Sequence, residues 1–119
     1  MSRKTGVVLA LGDYRARQRT VYFTRAELNQ LLGLYSLHVI RGVWRDYAID
    51  HGPGLARFSV FRHTHEAAAF TILKTAASAA RPGEFIVQSG RQRLRVSRNL
   101  AEALEFFRSR LSLVAAGPA

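Results

Sequence analysis

Residues 46–62 have the sequence DYAIDHGPGLARFSVFR and predict a β-hairpin. Polar and apolar residues alternate from Asp46 to Asp50, as they do in a half-buried strand. The tetrapeptide His51-Gly52-Pro53-Gly54 has the composition of a turn. A longer strand is predicted from Leu55 to Arg62, with one face formed by Ala56, Phe58 and Val60. Because strands joined by a short turn pair antiparallel, this hairpin indicates an antiparallel sheet.

Capping boxes predict a helix on each side of the sheet-forming region. Thr24 and Glu27 are three residues apart, so each side chain can bond a backbone N–H that the first helical turn leaves free. Asn99 and Glu102 repeat this spacing near the C-terminus. Apolar residues follow both pairs at helical spacing. We therefore expect two helices, at about 25–41 and 99–113.

The remaining strand signals lie mostly between the hairpin and the second helix. Aromatic and β-branched residues predict a strand at about 68–74, although the surrounding alanines leave a helix within 66–81 as the alternative. Further strands are predicted at 20–23, 84–88 and 91–96. The predicted fold is α+β: an antiparallel sheet of about five or six strands with both helices packed on one face.

Length and composition exclude several classes of protein. The chain has 119 residues and no cysteine, which excludes a disulfide scaffold, thiol catalysis and cysteine-ligated metals. No apolar run approaches the roughly 18 residues of a membrane-spanning helix, and the run at 7–11 is too short for a signal peptide. We expect a cytoplasmic protein without a cofactor. It would have a flexible basic arm at 1–18, one domain at 19–113 and a tail at 114–119.

The chain carries a large excess of positive charge. Lysine and arginine number 18 against 8 acidic residues, for a net charge of +10. Sixteen of the basic residues are arginines. This excess of basic over acidic residues is typical of a protein that binds a polyanionic partner. A GC-rich genome would produce the same arginine bias, so the total charge leaves both explanations open.

Four tracts together resemble a known family. They are Val21-Tyr22-Phe23, Glu27-Leu28-Asn29-Gln30, the nine residues from Gly42 to Asp50, and Phe58-Ser59-Val60-Phe61-Arg62. The set resembles a family of short alphaproteobacterial proteins classed only as a domain of unknown function, over about residues 20–100. The resemblance implies a bacterial cytoplasmic protein and favours the strand at 68–74. It implies no activity, cofactor or site residue.

A row of arginines is the sharpest candidate site. Arg91, Arg93 and Arg95 alternate with other residues, so a regular strand would project them from one face about 6.6 Å apart. Leu94 and Val96 would then face the core. The row predicts a nucleic-acid or acidic-protein contact, to which we add Arg98, Arg15, Arg17 and Arg19. The alternative is a solvated strand protected from aggregation by its charges.

Other polar groups give weaker signals. His63 and His65, with Glu66, have the spacing of metal ligands but lack a third firm ligand, so we predict no metal site. Asp46 and Asp50 would lie about 13 Å apart on a strand, too far for a carboxylate pair, and we expect them to pair with arginines across the hairpin. We therefore expect a non-enzymatic binding module. The alternative is a protein–protein interaction or regulatory subunit, in particular a homodimer formed through the exposed sheet face or an edge strand.

Overall fold

The computed structural model describes residues 19–115, and the side chains of residues 19–110. Its elements in chain order are α1 (Arg25–Ile40), β1 (Asp46–Gly52), β2 (Leu55–Phe61), β3 (Phe70–Thr75), β4 (Phe85–Ser89), β5 (Gln92–Ser97) and α2 (Leu100–Ala115). Five antiparallel strands and two helices confirm the predicted α+β fold. The predicted arm at 1–18 lies outside the described residues.

The sheet is a meander in which each strand pairs with its neighbours in sequence. Phe58 of β2 is opposite Ile49 on one side and Ile72 of the central strand on the other, and Ile72 is opposite Val87. These residues share one face because residues paired across an antiparallel sheet point to the same side. Both helices cover that face, which we call the helix face. Its core includes Leu31 of α1 and Phe107 of α2.

The ambiguous alanine-rich segment contains the predicted strand. Strand β3 runs from Phe70 to Thr75, so the strand at about 68–74 is confirmed and the helical alternative is wrong. Phe70 and Ile72 are both buried on the helix face. Burial between two strands therefore outweighs the helix propensity of the alanines. The strand predicted at 20–23 is reduced, in the described part of the chain, to a single bridge between Thr20 and Pro53.

Helix α1 begins at the predicted capping box and is anchored to the sheet there. The Thr24 hydroxyl accepts a hydrogen bond from the Glu27 N–H at 3.1 Å, and the Glu27 carboxylate accepts one from the Thr24 N–H at 2.7 Å. The Lys74 ammonium donates to the same carboxylate at 2.7 Å and to the Tyr22 carbonyl at 2.8 Å. Lys74 lies on the helix face, opposite Ala56. The ammonium group of Lys74 therefore links β3 to the start of α1.

The second capping box forms only in part. The Asn99 side chain accepts a hydrogen bond from the Glu102 N–H at 3.2 Å, as predicted. The Glu102 carboxylate accepts instead from the Ser97 hydroxyl at 2.9 Å. The cap of α2 therefore includes the last residue of β5.

An aromatic cluster closes the space between α1, β1 and α2. The rings of His38 and Trp44 stack with centroids 3.8 Å apart, and the edge of Phe107 meets Trp44 at 5.5 Å. Trp44 is buried and belongs to the core of the helix face. His38 Nδ1 donates to the Leu34 carbonyl at 2.9 Å. Burial of His38 lowers its pKa, which keeps the ring neutral.

Candidate functional site

A β-bulge divides the predicted arginine row. Val87 of β4 is opposite Arg95, but the next residue, Gln88, is opposite Arg93. Consecutive residues of a strand face opposite sides, so Arg95 lies on the helix face and Arg93 on the other face of the sheet. The prediction that these arginines share one face is therefore wrong. Arg93 and Arg95 are separated because the bulge places an extra residue, Leu94, in β5.

The bulge also changes which apolar side chains of β5 reach the core. Leu94 packs against the core, as predicted. Val96 is opposite Ile86, on the face that the helices do not cover, and is 44% exposed. The prediction that Val96 faces the core is wrong, since it assumed an unbroken alternation along β5.

The other predicted contact residues are dispersed. Arg95 donates from its guanidinium to the Glu102 carbonyl of α2 at 3.3 Å. Arg91 lies in the β4–β5 turn and Arg98 follows β5, so the whole strand, about 20 Å long, separates them. Arg19 lies beside the β1–β2 turn, where its carbonyl accepts from the Gly54 N–H. Arg15 and Arg17 lie outside the described residues. The predicted convergence of these arginines on one surface is therefore wrong for Arg19, Arg91, Arg95 and Arg98.

The antiparallel topology gathers other arginines at one end of the sheet, where β1, β3 and β5 begin. Arg45 precedes β1, and its N–H donates to the Phe61 carbonyl at 2.8 Å. Arg62 follows β2 and Arg91 precedes β5. We call this end, with Arg45, Arg62, Arg91 and the nearby Arg110 of α2, the arginine end.

An open cleft of about 410 Å³ lies at the arginine end. Arg62 and Arg110 line it together with Glu66, and its polar walls also include Ser89 and Gln92. The Arg110 guanidinium carbon lies 5.5 Å from the centre of the Phe70 ring and 5.3 Å from that of Phe106. Such stacking holds the guanidinium in place while leaving its N–H donors free. We call this site the arginine cleft.

Neither arginine of the arginine cleft forms an ion pair within the described part of the chain. Among residues 19–110, the ion pairs are Lys74 with Glu27 and Arg108 with Glu105. Glu66 lines the cleft without pairing with either Arg62 or Arg110. As far as residues 19–110 show, the cleft therefore presents two guanidinium groups without an acidic partner, which can donate to an anionic ligand.

The remaining sequence candidates do not form a site in the described residues. His63 and His65 lie in the exposed β2–β3 loop. No group of three potential metal ligands occurs between residues 19 and 110. Asp50 is opposite Arg57 in the sheet register. Neither Asp50 nor Asp46 pairs with an arginine there, so the predicted cross-hairpin ion pairs are wrong.

Sequence reasoning missed the two arginines that line the cleft. Arg62 is at the end of a predicted strand, and Arg110 lies four residues after Phe106 on the predicted helix. That spacing places an arginine beside an aromatic ring on a helix. No local sequence signal shows that the end of β2 and this part of α2 lie beside each other at one end of the sheet.

Within residues 19–115, a five-stranded meander, two helices on one face and an arginine cleft at one end form a small α+β fold. The family model described as "Protein of unknown function (DUF2794)" matches residues 21–104, and the chain belongs to this family. The match confirms the resemblance to a family of unknown function. No curated protein and no solved structure matches the chain. None of the helices in the described residues is long and apolar enough to cross a membrane.

Proposed function

We propose that this domain is a non-enzymatic binding module for nucleic acid, and that the arginine cleft contacts the phosphate backbone. The observation that carries the proposal is that Arg62 and Arg110 line one cleft without an acidic partner in the described part of the chain.

The form of the cleft favours a chain of phosphates. It is open rather than enclosed, so an extended polymer can lie across it. A guanidinium group offers a planar fork of donors that matches two phosphate oxygens. Arg91 immediately precedes Gln92, which lines the cleft, and adds a third positive charge nearby.

The overall charge supports the same partner. A net charge of +10 on 119 residues attracts polyanions over several ångströms and speeds their association. Binding through phosphates alone is independent of base sequence and weakens steeply as salt rises. We therefore expect non-specific binding with a strong salt dependence.

The test measures fluorescence anisotropy of a short labelled single-stranded oligonucleotide between about 50 and 200 mM salt. The variant is R62S/R110S. The matched control is R81S/R98S, which removes the same charge from the opposite end of the sheet. Exposed ionic contacts contribute about 0.7 kcal/mol each. The variant should therefore bind about tenfold more weakly. Its salt slope should fall by about 1.4, and the control should stay within about twofold of the wild type.

Three results would contradict the proposal. Equal losses in the two variants would mean that total charge, rather than the cleft, determines binding. An unchanged affinity in R62S/R110S would exclude the cleft. Binding to polyglutamate but not to the oligonucleotide, with the same loss in R62S/R110S, would identify an acidic protein surface as the partner instead.

A further inference from the structure

A carboxylate lies among the arginines of the arginine cleft. Glu66 lines the cleft together with Arg62 and Arg110, and between residues 19 and 110 it forms no ion pair with either of them. Its negative charge repels a phosphate that approaches the two guanidinium groups, so a site for phosphate alone would bind better without it. A carboxylate only accepts hydrogen bonds. The cleft therefore suits a ligand that carries hydrogen-bond donors beside its phosphate.

Hydrogen bonds hold the β2–β3 loop at the cleft. The Glu66 N–H donates to the His63 carbonyl at 3.3 Å, which closes a turn at the start of the loop. At its end the Ala69 N–H donates to the Val60 carbonyl at 2.8 Å, and the Ala69 carbonyl accepts from the Ser89 hydroxyl at 2.9 Å. The backbone of Glu66 is therefore held in position, which lowers the entropy lost when its carboxylate contacts a ligand.

Among the bases of nucleic acids, guanine best matches a carboxylate. Its Watson–Crick edge presents two adjacent donors, the ring N–H and the neighbouring amino group, and the two oxygens of a carboxylate can accept from both. Adenine and cytosine present an amino group beside an unprotonated ring nitrogen, and thymine and uracil present one N–H between two carbonyls. The Watson–Crick edge is free only in an unpaired base, so this match requires a single strand.

We propose that Glu66 gives the arginine cleft a preference for guanine in single-stranded nucleic acid. The proposal rests on the proposed function, because Arg62 and Arg110 hold the phosphate of the same nucleotide. The cleft of about 410 Å³ is large enough for one nucleotide, since sites for small ligands measure about 300–1,000 Å³. The arginines supply affinity that is independent of the base, and Glu66 adds a modest choice of base to it.

Competition by mononucleotides tests the preference with a ligand that fills the cleft in one register. Guanosine, inosine and adenosine monophosphates carry the same charge, and the anisotropy of the labelled oligonucleotide bound to the full chain reports its displacement by each of them. We expect guanosine monophosphate to act at about fivefold lower concentration than adenosine monophosphate, the lower limit for a bidentate contact, because Glu66 is exposed. Inosine monophosphate, which lacks only the amino group of guanine, should lie between them.

Two matched variants assign the preference to Glu66. Glu66→Gln replaces one carboxylate oxygen with a donor, so guanosine and adenosine monophosphates should displace the oligonucleotide equally well. The control is Glu84→Gln, because Glu84 precedes β4 at the opposite end of the sheet. It removes the same charge and should keep the preference for guanine. Both variants should bind the oligonucleotide at least as tightly as the wild type, since each removes a negative charge.

The outcomes separate this proposal from the proposed function. Equal displacement, or no displacement, by the three mononucleotides would overturn the role of Glu66. A preference that survives in Glu66→Gln, or that is also lost in Glu84→Gln, would do the same. If R62S/R110S still weakens oligonucleotide binding in any of these cases, the proposed function stands without a choice of base. A wild type that does not bind the oligonucleotide would contradict both proposals.

Discussion

The bond network around Lys74 should contribute much more to stability than a surface ion pair. Lys74→Met keeps the aliphatic stem in place but removes the charge-assisted bonds to Glu27 and Tyr22. The Glu27 carboxylate then keeps only the Thr24 N–H as a donor. This loss affects both the start of α1 and its attachment to β3.

The magnitude follows from the burial of the pair. The side chains of Lys74 and Glu27 are 22% and 16% exposed. Exposed pairs contribute about 0–1 kcal/mol, whereas breaking a fully buried pair costs about 3–5 kcal/mol. We expect Lys74→Met to lower the free energy of unfolding by about 2–3 kcal/mol, because the pair lies between these limits but nearer to burial. E27Q should restore part of this loss in the double variant, since it removes the unpaired charge but keeps an acceptor for Thr24.

Urea denaturation at neutral pH, followed by circular dichroism, measures these changes. The control is Arg108→Met, because Arg108 and Glu105 form an ion pair whose side chains are 78% and 46% exposed. It should cost less than about 0.5 kcal/mol. The stabilising role of this bond network is refuted if Lys74→Met costs no more than this control. It is also refuted if the costs of K74M and E27Q add without coupling in the double variant.

Two further predictions concern His38 and the glycines. Burial, with a smaller contribution from Arg41, lowers the pKa of His38 in the fold despite its bond to Leu34. The fold therefore favours the neutral form of His38. The free energy of unfolding should fall as the pH drops below about 6.5, the pKa of a histidine in the unfolded chain. The urea midpoint of His38→Gln should change less than that of the wild type between pH 7.5 and 5.5; an equal change would contradict this. Gly33→Ala, in an open position of α1, should stabilise the chain by up to about 1 kcal/mol in the same assay. Gly83→Ala should destabilise it by about 1–3 kcal/mol, because the new Cβ would lie 2.8 Å from the Thr75 carbonyl; equal effects of the two changes would contradict the reasoning.

Local signals were sufficient to predict the fold. The capping box at Thr24 and Glu27, the Gly52-Pro53-Gly54 turn and the alternation in β2 all depend on residues a few positions apart. Interactions between residues that are far apart in the sequence could be identified only from the structure. Lys74 follows Phe70 and Ile72 on a buried strand face, which indicates that its charge needs a partner. Glu27 is 47 positions away, and no short-range pattern identifies it as that partner.

The candidate site was mispredicted for the same physical reason. Arg93 and Arg95 are close in sequence, but a bulge that no glycine or proline marks directs them to opposite faces of the sheet. Arg62 and Arg110 are 48 positions apart, yet the antiparallel order of the strands and the length of α2 bring both to one cleft. Because Arg95 is bonded to α2, the positive charge of β5 that remains available is divided between Arg93, on the face of the sheet opposite the helices, and Arg91, at the arginine end. Arg93 does not line the arginine cleft, so R93S should leave oligonucleotide binding within about twofold of the wild type, as R81S/R98S should.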